Sequence, residues 1–369
     1  MLPISAALFY FGYNPISIPY KRGKKMTKKV KLALIGFGNV GQGLTQILAQ
    51  NQKLYQNQFG IELIITAICT RSRGSVFHPD GLNPQILLDT FMKNGSLHSV
   101  PAAFHDWSVE KTILESNADV IVEASITDLQ SGEPALGFIQ TALKARKHVV
   151  TTNKGPIALH YQEIQELADG NGVKLGYEGT VMCGTPSIHL GRDCLMAAGI
   201  KKIEGIINGT TNYILCRMEQ GADFQSALKE AQTFGYAEAD PTADIEGHDA
   251  AAKALILAKI LFRSPIQLTD VKRQGISHLT PQDIADARQN KEVWKLIATI
   301  EQGGQGSIIE VSPRRLPLTH PLAQVSGTVN AITFSTDLLG QVTLIGPGAG
   351  KLQTGYAVLL DILDIYRSR

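Results

Sequence analysis

The segment Gly36-Phe37-Gly38-Asn39-Val40-Gly41 constrains this chain more than any other, because of what flanks it. Val30 to Ile35 is a β-branched and aliphatic run that stops at the glycines, and Val40 to Gln50 then carries apolar residues at helical spacing. The order is strand, tight turn, helix. In such a turn the first glycine permits the bend and the second lets backbone N–H groups approach a pyrophosphate. The third packs helix on strand, and the anion sits at the helix N-terminus. The glycine pattern alone is weak, and a purely structural turn is the competing reading. The flanks favour dinucleotide binding through Gly36, Phe37, Gly38, Asn39, Val40 and Gly41.

The alternation continues downstream. Ile61 to Thr70, Asp119 to Ala124, Lys147 to Thr152 and Val173 to Tyr177 read as strands. Between them, one helix opens with Pro134 at its N1 position and runs to about Arg146, and another spans about Leu159 to Asp169, closed by Gly170. Strands alternating with helices imply a parallel, doubly wound α/β sheet. Beyond Gly179 the texture changes. Asp223 to Phe234 is an amphipathic helix with Asp at its start and Gly235 at C′, and a second helix runs from about Gly247 to Phe262. β-type runs at Ser307 to Val311 and Thr328 to Thr333 suggest a second, mixed sheet, hence a smaller α+β unit. A length of 369 residues exceeds what one core usually reaches, which agrees with two domains.

Composition excludes several classes of partner. A hydrophobic share of 44% and a formal net charge of +2 describe an ordinary globular protein, with no electrostatic reason to bind nucleic acid or membrane. Cys69, Cys183, Cys194 and Cys216 form no C-x-x-C pair, so neither a disulfide framework nor a thiolate zinc site is suggested, and a reducing cytoplasm is the expected home. In the first 25 residues basic side chains follow a short apolar run, the reverse of a secretory signal, and the run is too short to span a bilayer. The preferred reading starts translation at Met26, with an organelle address as the alternative, so residues 1–28 count as an extension, disordered or untranslated.

Candidate site residues gather at strand ends, where ligands of such sheets bind. The second strand ends in Cys69-Thr70-Arg71-Ser72-Arg73 with no carboxylate for a ribose 2′-hydroxyl. Arg71 and Arg73 suit a 2′-phosphate and hence NADP, unless they are solvated loop charges. Ser125 and Thr127 follow a later strand and join the cofactor set. Lys154 follows Thr151-Thr152-Asn153, and a site lysine and a turn lysine are equally good readings of it. Asp249 and Lys253 stand one turn apart on a helix that is otherwise apolar nearly all round, so they face a cleft unless they form an ordinary helix salt bridge. Glu238 and Asp244 lie in the carboxylate-rich loop before that helix, as turn and cap residues or as holders of an ammonium.

Together these segments resemble homoserine dehydrogenase, from Lys31 onward: GFGNVG, EPALGFIQTALKARKHVVTTNKGP, INGTTNYIL, GYAEADPTADIEGHDAAAKALILA and LPLTHPLAQVSGTVNAI follow that family's order. The resemblance implies reversible NAD(P)-linked interconversion of L-homoserine and aspartate 4-semialdehyde in threonine, methionine and isoleucine biosynthesis, by a homodimer. It implies a Rossmann domain over residues 29–155 and 341–369, and a catalytic and dimerisation domain over 156–340. Lys253 corresponds to the proton donor and acceptor, Asp249 to the acid beside it, and Lys154 to a second lysine between cofactor and substrate. Glu238 corresponds to the holder of the amino group, Asp244 to another substrate-pocket carboxylate, and Gly348, in Gly348-Ala-Gly350, to a late segment lining the cofactor site. A monovalent cation, sodium by its hard oxygen ligands, is implied at Glu178 and the backbone oxygens of Val181, Cys183 and Thr185, although Met182 and Cys183 replace the usual glycines. Many members of that family carry a C-terminal ACT regulatory domain, and none is expected here.

The chemistry sets one further expectation. A lysine acts as a base near neutrality only if burial or a neighbouring cation lowers its pKa, and two lysines converging on one oxygen provide that repulsion. Asp249 would oppose it, so it is expected to orient Lys253, through water, without neutralising it closely.

Overall fold

The computed structural model describes residues 27–304 and 306–367. Of the extension read over 1–28, residues 1–26 lie outside them, and Lys28 already belongs to the first strand. One sheet holds β1 (Lys28–Ile35), β2 (Ile61–Cys69), β3 (Ser75–Phe77), β4 (Phe104–His105), β5 (Val120–Glu123), β6 (His148–Thr151) and β7 (Leu175–Gly176), in the order β4-β3-β2-β1-β5-β6-β7. Strands β2, β1, β5, β6 and β7 run parallel, as expected. The β3 and β4 edge is antiparallel, which the sequence reading missed. The Thr70 hydroxyl donates to Gly74 O and accepts from Arg73 N, closing a tight turn, and so short a link reverses the chain where a parallel neighbour would need a crossover.

Both faces of this sheet are covered, which is why its strands read as near-continuous apolar runs. Leu32, Leu34, Leu63, Ile65, Val120 and Val122 point toward Leu44 and Leu48 of the helix Asn39–Phe59 and Val358 and Ile362 of the helix Lys351–Tyr366. Alternate residues, Ala33, Ile35, Ala67, Ile121 and Val149, meet Ile139, Leu143, Ile157 and Ile164 on the opposite face. Because β2 and β5 flank β1, chain direction through the sheet reverses at β1, and the crevice at the carboxyl ends of β1 and β5 is the expected ligand site.

A second sheet holds β8 (Ile200–Ile206), β9 (Lys272–Arg273), β10 (Glu292–Gly303), β11 (Gly306–Pro317), β12 (Val329–Thr336) and β13 (Gly340–Pro347), ordered β13-β12-β8-β10-β11-β9. Only β9 and β11 pair in parallel. The sequence reading found parts of β11 and β12 but not β8 or β10, whose charged residues interrupt the apolar pattern. Those charges are paired laterally: Lys202 lies 3.0 Å from Glu204 on its own strand and 3.1 Å from Glu301 on β10.

Two strands pair on the far side of the expected boundaries. Strand β7 pairs with β6, so the first sheet runs past residue 155 to 176, and β13 pairs with β12, so residues 341–347 belong to the second sheet. The helix His248–Phe262, buried at every position from Ala250 to Leu261, lies between, and one apolar core continues from Ile157 through Leu255 to Ile203 and Phe334. The helix at Lys154–Gly170 starts earlier than read, because the backbone leaves helical geometry at His160 and only the second half keeps a regular pattern. The helix Asn39–Phe59 runs past Gln50 on residues of good helix propensity and ends at Gly60 in the left-handed region. No described helix is long and apolar enough to cross a membrane.

Candidate active site

At the end of β1 the three glycines have three different surroundings. Gly36 has φ +104°, and a side chain there would overlap Ala124 O at the end of β5. Gly41 lies so close to Gly36 that a Cβ would stand 2.7 Å from Gly36 O. Gly38 faces open space, with nothing within 4 Å of where its Cβ would be. Gly38 also caps a helix with no side-chain cap and no acidic residue in its first turn. Free N–H groups, an open face and no competing carboxylate fit a pyrophosphate. Asn39 is exposed beside it and Val40 half-buried, whereas the Phe37 ring is buried edge-on against Phe91, 5.0 Å between centroids, so only its backbone is available to a cofactor.

Neighbouring strand ends supply the rest of the nucleotide crevice. Arg71 and Arg73 are exposed just past β2, and the Arg73 guanidinium lies 5.4 Å above the Phe91 ring. Ser125 and Thr127 follow β5. Glu123, which the sequence reading missed, ends β5 fully buried. It accepts from Ser125 N at 2.8 Å, Ser125 Oγ at 2.5 Å and Thr151 Oγ1 at 2.8 Å. Burial is the main reason its pKa is raised. The Thr151 hydroxyl in turn accepts from Asn153 N at 3.0 Å, and Asn153 caps the helix that begins at Lys154. One carboxylate thus fixes the exits of β5 and β6. The only sequence sign was a glutamate closing an otherwise apolar strand. Gly348 packs against the fully buried amide of Asn330, and farther along the same segment Lys351 Nζ donates to Gln42 Oε1 on the helix Asn39–Phe59 at 2.8 Å.

Lys154, Asp249 and Lys253 meet where the two sheets join. Asp249 Oδ1 lies 2.7 Å from Lys154 Nζ, and Oδ2 lies 2.7 Å from Lys253 Nζ, so one carboxylate bridges both ammonium groups. Lys253 also donates to Ile207 O at 2.8 Å. This corrects the expected water-mediated contact: the i,i+4 spacing and the buried helix bring Asp249 directly onto Lys253. Burial would push the Asp249 pKa up, but the two ammonium charges overcome it and hold it well below the usual carboxylate range. For Lys154 burial favours the neutral amine, yet Asp249 by charge and hydrogen bond, with Asp244 and Glu238, outweighs it and raises its pKa. The expectation that two converging lysines lower each other's pKa is therefore reversed at Lys154, because a carboxylate sits between them.

The loop carboxylates arrive beside this trio. Asp244 is half-buried and accepts from Asn208 Nδ2 at 2.7 Å, and Glu238 is exposed on the same side, near enough for its charge to act on Lys154. Burial is the first reason that the Asp244 pKa is raised, and the Asp249 charge adds to it against the hydrogen bond from Asn208. Asn208 was quoted within a motif but given no role from the sequence.

The cation reading meets a different arrangement. Glu178 is fully buried, and its carboxylate accepts from Ile188 N at 2.9 Å and His189 N at 2.7 Å, with His189 Nδ1 at 2.6 Å. Those oxygens anchor the turn at Ser187–His189. Val181 is buried next to it, Thr185 O accepts from Ser187 N, and Cys183 Sγ lies 2.7 Å from Thr354 Oγ1. Cys183 does hold the left-handed backbone of the glycine it replaces, at φ +56°.

Comparisons with known proteins point to one family. The family profile described as Homoserine dehydrogenase matches residues 186–363, and that described as Homoserine dehydrogenase, NAD binding domain, matches residues 36–178. The chain is 44% identical to the NAD(+)-dependent homoserine dehydrogenase of Pseudomonas canavaninivorans, over 92% of this chain and 96% of that one. It superposes with TM-score 0.80 at 34% identity on a homoserine dehydrogenase from Thiobacillus denitrificans, covering 92% of this chain and 73% of that one. A hyperthermophilic archaeal homoserine dehydrogenase mutant, solved in complex with NADPH, gives TM-score 0.79 at 32% identity over 92% and 98% of the two chains. With a dinucleotide crevice, a lysine–aspartate–lysine bridge and both profiles laid end to end along it, this chain belongs to the homoserine dehydrogenase family.

Proposed function

We propose that Lys253 exchanges the hydroxyl proton when L-homoserine and aspartate 4-semialdehyde are interconverted, that Lys154 holds the same oxygen as an ammonium, and that Glu238 and Asp244 bind the amino group. The observation that carries this reading is the bridge made by Asp249, with both lysine nitrogens at 2.7 Å. When bound, the nicotinamide dinucleotide supplies the hydride chemistry. Its pyrophosphate would rest on Gly36 to Gly41, its ribose and nicotinamide beside Ser125, Thr127, Lys154 and Gly348. The raised pKa of Lys154 keeps it charged as pH rises, which suits it to holding the oxygen, and leaves the proton exchange of oxidation to Lys253. Reduction uses the same group as an ammonium, giving its proton to the developing alkoxide.

The reading extends to NADP as the preferred cofactor, held at the 2′-phosphate by Arg71, with Arg73 beside it on Phe91. No carboxylate stands in the turn Thr70 to Gly74 to repel that phosphate. A charge-assisted hydrogen bond contributes roughly 1.5–3 kcal/mol, and even the lower figure gives about a tenfold preference. The test is kcat/KM for homoserine oxidation with NADP and with NAD, in wild type and Arg71→Ala. NADP should be favoured about tenfold in the wild type, and the preference should fall in the variant with NAD kinetics little changed. Equal use, or a preference for NAD like that of the Pseudomonas relative, would return the arginines to solvated loop charges. The working assembly is read as a homodimer, for which the exposed Leu338, Leu339 and Ile345 beside edge strand β13 supply apolar surface. By the same resemblance the reading includes a monovalent cation held by Glu178, which also accepts from His189, and by the backbone oxygens of Val181, Cys183 and Thr185.

A further inference from the structure

We propose that Asn208 is a positioning residue for the substrate amino group: its side-chain nitrogen ties Asp244 to Asp249, so that a carboxylate for the ammonium and a carboxylate for the lysines stay ionised side by side. The inference rests on the roles given above to Asp244 and Asp249. Asn208 lies just after β8 and is 5% exposed. Its Nδ2 donates to Asp244 Oδ1 at 2.7 Å and to Asp249 Oδ2 at 3.0 Å, one N–H to each carboxylate. Its Oδ1 accepts from Thr211 N at 2.9 Å, capping the helix Gly209–Glu219, and from Thr211 Oγ1 at 3.0 Å. The oxygen anchored on a backbone N–H decides which way the amide points, so the nitrogen is held toward the carboxylates.

Two carboxylates facing one nitrogen repel each other, and the pair is stable in its charged form only with donors between and around it. Besides Asn208, Asp249 has Lys154 and Lys253. Asp244 faces Asp249 and Lys253 from the helix His248–Phe262 and Thr210 from the helix Gly209–Glu219. It also acts on Lys154, as Glu238 does. Asn208 is its closest donor. Asp244 already leans toward the neutral acid because it is buried, so its charge is lost, as pH falls, above the usual aspartate range. Without the Asn208 amide that loss should come at higher pH still, and the pocket should release homoserine earlier on acidification.

Asn208→Ser separates the two duties of the residue. Serine is a good N-cap but too short to reach both carboxylates. Asn208→Asp keeps size and cap but replaces the donating nitrogen with a third carboxylate oxygen. For Asn208→Ser the acid limb of kcat/KM for homoserine should move up by about one pH unit or more, the size expected for a lost bond to a charged group. KM for homoserine at neutral pH should rise about tenfold, with KM for the dinucleotide and the melting temperature near wild type. Asn208→Asp should move the limb further, and it supplies the same readout if the serine variant fails to fold. An unmoved acid limb in either folded variant overturns the proposal, as does an equal loss of homoserine and dinucleotide affinity with lowered melting temperature, the mark of a merely structural residue. Failure of the wild type to oxidise homoserine would overturn the reading of the site instead.

Discussion

Lys253 touches a backbone carbonyl and a carboxylate from inside an apolar helix, and that pair of partners sets the direction of its amine toward the bridge with Lys154. In the proposed reading, truncating it removes the group that takes the hydroxyl proton and leaves the dinucleotide's contacts in place. Lys253→Ala should lower kcat about 10²–10⁴-fold, the usual contribution of a general acid–base group, while dinucleotide binding, followed by fluorescence, stays near wild type. Near-normal turnover would show that the proton leaves by another route. At this scale the sequence was informative about identity and poor about distance. The i,i+4 spacing of Asp249 and Lys253 was legible, but their direct contact, and the way Asp249 reaches back across 95 positions to Lys154, were not. Glu123 and Asn208 escaped because a single polar residue at a strand exit has many ordinary uses, and only its partners single it out.

Among elements, the glycine turn after β1 offers the sharpest contrast between space for the fold and space for the ligand. Gly36 needs its left-handed φ and has Ala124 O against it, whereas Gly38 has nothing near its open face. Gly36→Ala should therefore destabilise the protein by about 1–3 kcal/mol from backbone strain alone, before the overlap with β5 is counted. Gly38→Ala should melt like wild type yet bind the dinucleotide more weakly, because the methyl occupies the pyrophosphate's place. Thermal melts and cofactor titration of the two variants check this. If Gly36→Ala were as stable as wild type, the close approach of β1 and β5 would be wrong. Elements with one clear period or cap were legible, including the helix Phe224–Thr233 behind Asp223. The charged strands β8 and β10 were not, since their satisfaction comes from residues far away in sequence.

Across the whole molecule, the C-terminal helix closes the first sheet after the chain has built the second. Ile362 is fully buried with Val358, Leu34 and Leu48, so Ile362→Ala should lower stability by about 2–5 kcal/mol in urea unfolding. A loss under about 0.5 kcal/mol would mean the helix is a loose appendage. The sequence by itself determined the strand–turn–helix start, the parallel alternation behind it, and the family, because each is written in local spacing or contiguous motifs. Only the tertiary structure decided that Asp249 grips both lysines directly, that Glu178 turns to His189, that β7 joins the first sheet and β13 the second, and that Asn208 joins two carboxylates. Those outcomes depend on which charged group comes nearest in space, and burial makes the nearest partner decisive, since an unpaired charge there is costly.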